Sequence, residues 1–439
     1  MKRLLVFAML LLAPIVSVQS ARAQQWVAGW TGSVHGPYPV GNPTAQPEMK
    51  FALPDAERGA HDQTFRLIVR PDIWGTQARI RLSNVFGRQP VTFDNVYAGL
   101  QESGAALLLG TNRAILFKGQ KSVTVAAGES VVSDPVALPF VTPANAPLLN
   151  GRKLAVSFHV AGDSEPMTWH AKALTTSYLS PPGSGSRGGV ATESAFPFST
   201  TSWFFLDEVD MQVARPAKLV VAFGDSITDG TASTINGDDR WPDVLSRRLH
   251  AAYGDDVAIV NQGIGGNQVL GPADYATKPI AGGPSALSRL DRDVVALPGV
   301  STVIWLEGIN DLGYADATAE ALMEGYTTGV AHLRQKIPGV KIFVATLTSA
   351  LHSTPTHGRP EVDERRKALN QMFKASKIFD GVIDFDAATF DPATGEVKPE
   401  FQPNSSTGGP GDKLHPNRAG YAAMAGAIDL KMITGQAPK

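Results

Sequence analysis

The chain has 439 residues, 43% hydrophobic and 18% charged, with a formal net charge of −2. That length suits two to three domains, and that balance suits a folded protein with ample core. Near-neutral charge without a long run of one sign removes the electrostatic case for a nucleic-acid partner. The absence of cysteine excludes disulfides, thiolate metal sites and a cysteine nucleophile.

The first residues read as a targeting segment. Lys2 and Arg3 precede an apolar stretch over 4–18, and Ala21-Arg22-Ala23 supplies a small-x-small cleavage pattern. Pro14 and the short apolar length argue against a membrane span. The expectation is a signal peptide over 1–23, cleaved after Ala23, and a secreted or periplasmic mature chain with no membrane-spanning segment. Its stability must then come from its core.

From 26 to about 213 the pattern is mostly strand. Residues 64–70, 78–82 and 153–160 broadly alternate apolar and polar, punctuated by Gly, Pro and Asn. Residues 122–128 and 131–136 are expected to pair around a turn, and 203–213 to form one strand after a Gly/Ser/Pro-rich loop over 181–201. Many short strands without helical periods predict an all-β domain over 24–213, sandwich or jelly-roll-like, with its boundary near 214–217.

After Lys218 the pattern changes. Strands are expected at 219–223, 257–261, 302–307, 341–346 and 381–385, and helices at 241–253, 285–296, 319–336, 361–376 and 418–433. Pro338 and Gly339 close the third helix just before the fourth strand. Alternating strands and helices predict a parallel sheet covered on both faces, an α/β domain over 214–439.

The first of these strands ends abruptly in Gly224-Asp225-Ser226-Ile227-Thr228, and open α/β sheets place ligands at the carboxyl ends of their strands. A serine hydroxyl needs a base, usually a histidine oriented by a carboxylate. Of nine histidines, only His415 has an acidic residue three positions before it, Asp412. A developing oxyanion needs donors aimed at it beforehand. Two further strand ends carry candidates. Asn261-Gln262-Gly263-Ile264-Gly265-Gly266-Asn267 offers backbone N–H groups on glycines, and Gly308-Ile309-Asn310-Asp311 offers the Asn310 amide.

Together, Gly-Asp-Ser-Ile-Thr, the Asn-x-Gly-x-Gly-Gly-Asn block, Gly-Ile-Asn-Asp and Asp-x-x-His resemble the SGNH, or GDSL-like, hydrolase superfamily over about 219–433. The resemblance implies a flavodoxin-like three-layer α/β/α fold and ester hydrolysis through an acyl-enzyme. By position it implies Ser226 as nucleophile, Asp412 and His415 as the rest of a triad, and an oxyanion hole of Ser226, Gly266 and Asn310. Gly265 is the alternative to Gly266. The stretch lacks the last glycine of the Gly-x-Ser-x-Gly elbow, which disfavours an α/β-hydrolase. Trp26-Val27-Ala28-Gly29-Trp30, residues 81–87 and Ser133-Asp134-Pro135 resemble the β domain of secreted SGNH proteins of the xylanase-operon esterase type.

These readings give an exported serine esterase needing no metal or organic cofactor. Its substrate is a small-molecule or polysaccharide-linked ester, with a carbohydrate acetyl ester preferred over general acyl or aryl esters; a glycan-binding protein with a vestigial site is the third reading. His352 and His357, on a loop over 349–361, are read as loop packing, and Trp241, Trp169 and His170 as packing too. The loop over 270–286 is expected to cover the substrate site.

Overall fold

The computed structural model describes residues 25–438; the expected signal peptide lies outside the described residues. The amino-terminal part holds two antiparallel sheets. In one, Gln25–Thr31, Leu206–Val213, Gln77–Ser83 and Ser130–Val132 lie side by side in that order. In the other the order is Phe198–Thr200, Ser177–Leu179, His61–Val69, Leu154–Asp163, Val91–Ser103 and Ala106–Leu107. Alternation sends Phe65, Phe93 and Phe158 of the second sheet inward, where they meet Phe204 and Phe205 of the chain leading into Leu206–Val213. The same alternation turns Arg66 the other way, and there the loop over 181–201 covers it. Arg66 donates to the carbonyls of Gly188 and Val190, and its guanidinium lies 4.1 Å from the Phe196 ring centroid.

Two strand expectations change. Ser122–Val125 pairs with Val91–Ser103, while Ser130–Val132 pairs with Gln77–Ser83, so the two segments join different sheets. Asn84 takes the bonds they would have exchanged. Its N–H donates to Glu129, its carbonyl accepts from Gly128 and its side chain donates to Val125. The strand expected over 203–213 breaks at Phe205, whose φ is +58°. Trp203–Phe204 instead pairs with Trp169–His170 as a separate ribbon.

Residues 214–217 lead into the parallel sheet, whose strands are Lys218–Gly224, Val257–Gly263, Val300–Leu306, Lys341–Ala345 and Gly381–Ile383. Numbered in sequence, they lie in the order 2-1-3-4-5, the flavodoxin-like arrangement. Trp241–Tyr253 packs with Arg418–Gly426, and Ala319–Lys336 with Pro360–Ala375. Right-handed crossovers put one pair on each face. Two expected helices are interrupted. Ala286–Leu290 continues as a π-helical turn, Asp291–Val295, and the last breaks into Arg418–Gly426 and Leu430–Thr434, the second capped by Asp429.

The two parts meet through polar groups as well as core. Asp72, just after His61–Val69, accepts from the Ile259 N–H at 2.7 Å, from His250 at 3.2 Å and from the Ser246 hydroxyl. Thr31 donates to the Asn261 carbonyl. Among the described residues, no helix is long and apolar enough to cross a membrane.

Candidate active site

Sheet order decides which loops meet. Lys218–Gly224 lies between the second and third strands, with Gly224 in register with both Gly263 and Leu306. The loops beginning at 225, 264 and 307 therefore leave one edge side by side. Gly224 has no room for a side chain, because a Cβ there would stand 2.0 Å from the Leu306 carbonyl oxygen. Asp225 caps the short helix Ser226–Asp229 by accepting from the Ile227 N–H. Ser226 opens that helix, so its N–H has no acceptor within it.

The Ser226 Oγ lies 2.8 Å from His415 Nε2, and His415 Nδ1 lies 2.6 Å from Asp412 Oδ2. The other Asp412 oxygen accepts the N–H groups of Leu414 at 3.0 Å and His415 at 2.9 Å. One carboxylate thus holds both the imidazole and the turn that carries it. Burial opposes ionisation of Asp412, but these hydrogen bonds and the His415 charge hold its carboxyl well below the usual range. Such a line can take a proton from the hydroxyl and stabilise the imidazolium that results.

The two glycines after Gly263 differ. The Gly265 N–H donates to Asp229 Oδ2 at 2.8 Å, so it is engaged inside the protein. Gly266 has a φ of +87°, a left-handed conformation suited to glycine, and it keeps solvent contact where Gly265 is buried. Asn310 donates from Nδ2 to the Asn267 carbonyl at 2.8 Å and accepts at Oδ1 from His357 Nε2 at 3.2 Å. These bonds tie the third loop to the second and leave one Nδ2 hydrogen uncommitted.

Beneath the strand ends lies a buried charge cluster that motif reading did not single out. Arg289 donates to the Gly224 carbonyl at 2.9 Å, the Gln262 carbonyl at 2.8 Å, Asn267 Oδ1 at 2.8 Å and Asp293 at 3.0 Å. Burial pushes the nearby carboxyls up, Asp225 to about 7 and Glu307 to about 8. Asp311 is pushed up to about 6 and accepts the N–H groups of Val269 and Leu270.

Two histidines do more than pack. Buried His357 faces Asn310, its Nδ1 beside the hydroxyls of Thr354 and Thr356. His170, on the ribbon with Trp203–Phe204, places Nε2 3.1 Å from Asp229 Oδ1. Lone histidines far apart in sequence carry no spacing signal, and only the fold brings them here. Trp169 and Trp241 are buried against Phe204 and Phe385, and exposed His352 pairs with Glu396. The loop over 270–286 is fastened beside Gly266 by Asn267, which donates to the Gly282 and Pro284 carbonyls.

Residues 222–423 match the model of the GDSL-like Lipase/Acylhydrolase family. No curated protein matches the chain. Among solved structures, a lipase/acylhydrolase from Enterococcus faecalis is similar at 22% identity, covering 51% of this chain and 98% of that one, with a TM-score of 0.37. A carbohydrate acetylesterase from Sinorhizobium meliloti is similar at 19% identity, covering 48% and 96%, with a TM-score of 0.36. An aryl esterase from M. smegmatis, solved with an inhibitor, is similar at 16% identity over 48% and 95%, TM-score 0.37. With the strand order and the loops it gathers, the family match makes residues 222–423 a GDSL-like lipase/acylhydrolase domain.

Proposed function

We propose that the protein is an exported serine esterase acting on carboxylic esters, with carbohydrate acetyl esters as its substrate class. The observation that carries this reading is the hydrogen-bonded line from Asp412 through His415 to Ser226 at the end of the central strand. Ser226 Oγ attacks the ester carbonyl carbon and its proton passes to His415 Nε2. The oxyanion is met by the Ser226 and Gly266 N–H groups and the free Asn310 Nδ2 hydrogen. Collapse expels the alcohol, which takes the proton from Nε2. Water then attacks the acyl carbon as His415 accepts its proton, and Ser226 leaves as a hydroxyl again. Asp412 keeps the imidazole in one tautomer throughout. Residues 214–439 carry this chemistry, and the β domain over 24–213 borders it.

A hydroxyl-rich leaving group is supported by the polar side chains of Lys172, beside Gly265, and Thr44, where Lys172 donates to the Thr44 hydroxyl. A second reading, a general short-chain acyl or aryl esterase, is favoured by an exposed aromatic ring at the end of the short helix Ile309–Tyr314, which carries Asn310. Tyr314 is 60% exposed, and its ring stands 4.6 Å from that of His357. Hydrolysis of acetylated xylan against p-nitrophenyl esters of rising acyl length separates the two. In either case Ser226→Ala lowers kcat by about 10⁴-fold or more without unfolding the protein. It also abolishes labelling by a fluorophosphonate. Hydrolysis and labelling that survive in Ser226→Ala would remove the nucleophile, and an unlabelled wild-type protein would favour the glycan-binding reading.

A further inference from the structure

The β domain reaches into the site through one exposed side chain. Asn42 lies on the segment after Gln25–Thr31 and donates from Nδ2 to the Gly265 carbonyl at 3.1 Å. That carbonyl belongs to the Gly265–Gly266 peptide unit, whose N–H is the donor assigned above to the oxyanion. A trans peptide is planar, with C=O and N–H pointing in opposite directions. A group that fixes the carbonyl therefore fixes the aim of the N–H. A hydrogen bond accepted at the carbonyl also polarises the unit and makes its N–H a stronger donor.

The other end of Gly265 is held from the same domain. Its N–H donates to Asp229, whose second oxygen faces His170 Nε2, while His170 Nδ1 lies 2.7 Å from the Ser33 carbonyl. Without these partners, a run of two glycines would sample many backbone conformations.

Asn42 is itself pre-set. Trp169 Nε1 donates to the Val40 carbonyl at 3.1 Å on one side of it. On the other, Thr201 donates to the Thr44 carbonyl at 2.8 Å, and Gln46 Oε1 accepts from the Thr201 N–H. Gly266 cannot carry a side chain without crowding this contact, because a Cβ there would stand 3.0 Å from Asn42 Nδ2.

Building on the esterase reading, we infer that Asn42 is a positioning residue for ester hydrolysis, aiming the Gly266 N–H at the oxyanion from the β domain. The amino-terminal domain thereby completes the oxyanion hole as well as bordering it. Because the bond matters most when negative charge develops, its loss acts on kcat and leaves KM nearly unchanged.

The test uses the full chain, p-nitrophenyl acetate, and a boronic acid as the tetrahedral probe. Asn42→Ala removes the side chain. Asn42→Asp keeps its shape but replaces the donor with an acceptor. Both residue changes are at an exposed position, so folding is retained. Each is expected to lower kcat about tenfold, short of the ~10²-fold loss for deleting an oxyanion donor itself, with KM within twofold. Boronic acid affinity should fall in parallel with kcat/KM. A raised KM at unchanged kcat would make Asn42 a substrate contact and overturn the inference, as would wild-type kinetics in both variants. Ser226→Ala assayed alongside keeps the cases apart. If it is inactive while the Asn42 variants are normal, only this inference fails. If it remains active, the esterase reading itself fails.

Discussion

At the residue scale, the proposed mechanism gives buried His357 a part in a reaction it does not enter. Burial, together with the nearby His415 charge, lowers it to about 4, so it is neutral under ordinary assay conditions. With Thr354 and Thr356 beside Nδ1, the proton on Nε2 is donated to Asn310 Oδ1, which fixes the amide with Nδ2 on the opposite side. His357→Leu should therefore let the amide rotate and lower kcat on the order of tenfold, while His357→Gln, which can still donate, should retain more activity. Equal kcat in wild type and His357→Leu would show that Asn310 needs no such support. The triad candidates were legible because a nucleophile, a base and a carboxylate bring short local patterns with them. His357, His170 and Asn42 were not, since each acts through one contact across 47, 59 or 223 positions of sequence.

At the element scale, the parallel sheet was readable from apolar runs ending in Gly and helices ending before Pro or Gly, and its strands fall within two residues of expectation. What periodicity could not show was the interruption of the helix expected over 285–296. The regular part ends at Leu290, one residue after Arg289, and Asp293 in the π-helical turn that follows lies against the Arg289 guanidinium. An extra residue per turn re-aims side chains, as wide turns near functional sites commonly do. Arg289 holds the Gly224 and Gln262 carbonyls and the Asn267 amide, so one side chain sets the spacing of two active-site loops. Arg289→Met leaves Asp293 without this buried partner. It should cost about 3–5 kcal/mol of stability, seen as an earlier urea midpoint, with activity falling in what remains folded. A midpoint unchanged from wild type would show the cluster to be dispensable. The misassigned pair 122–128 and 131–136 has a related cause. Local alternation identifies strands but not their partners, and Asn84 diverts the chain between sheets.

At the scale of the whole molecule, the two parts are joined by a buried ionisable pair. Burial alone would lower His250, but the Asp72 charge and the hydrogen bonds His250 donates to Asp255 and Asp72 raise it from 6.5 to about 10, and Asp72 is lowered in turn. A histidine raised on folding contributes stability that is fully present below its unfolded pKa and is lost as pH rises through the folded one. The thermal midpoint should therefore decline from about pH 7 toward 10. His250→Gln should be less stable than wild type at neutral pH and show a flatter alkaline decline. Parallel pH curves for the two proteins would place the alkaline sensitivity elsewhere.

The pairing of Gln25–Thr31 with Leu206–Val213 also orders events in time. A chain made amino end first cannot close its first sheet until more than 200 residues have been synthesised, and contacts that far apart form slowly. The Val257–Gly263 strand and the turn after it follow later still, and until they arrive Asp72 lacks Ile259 and Asn42 lacks Gly265. The proposed esterase site is thus assembled late, and it is complete only when Asp412 and His415, near the carboxyl end, have been made. A nascent or truncated chain would carry the Ser226 turn long before it could hydrolyse an ester.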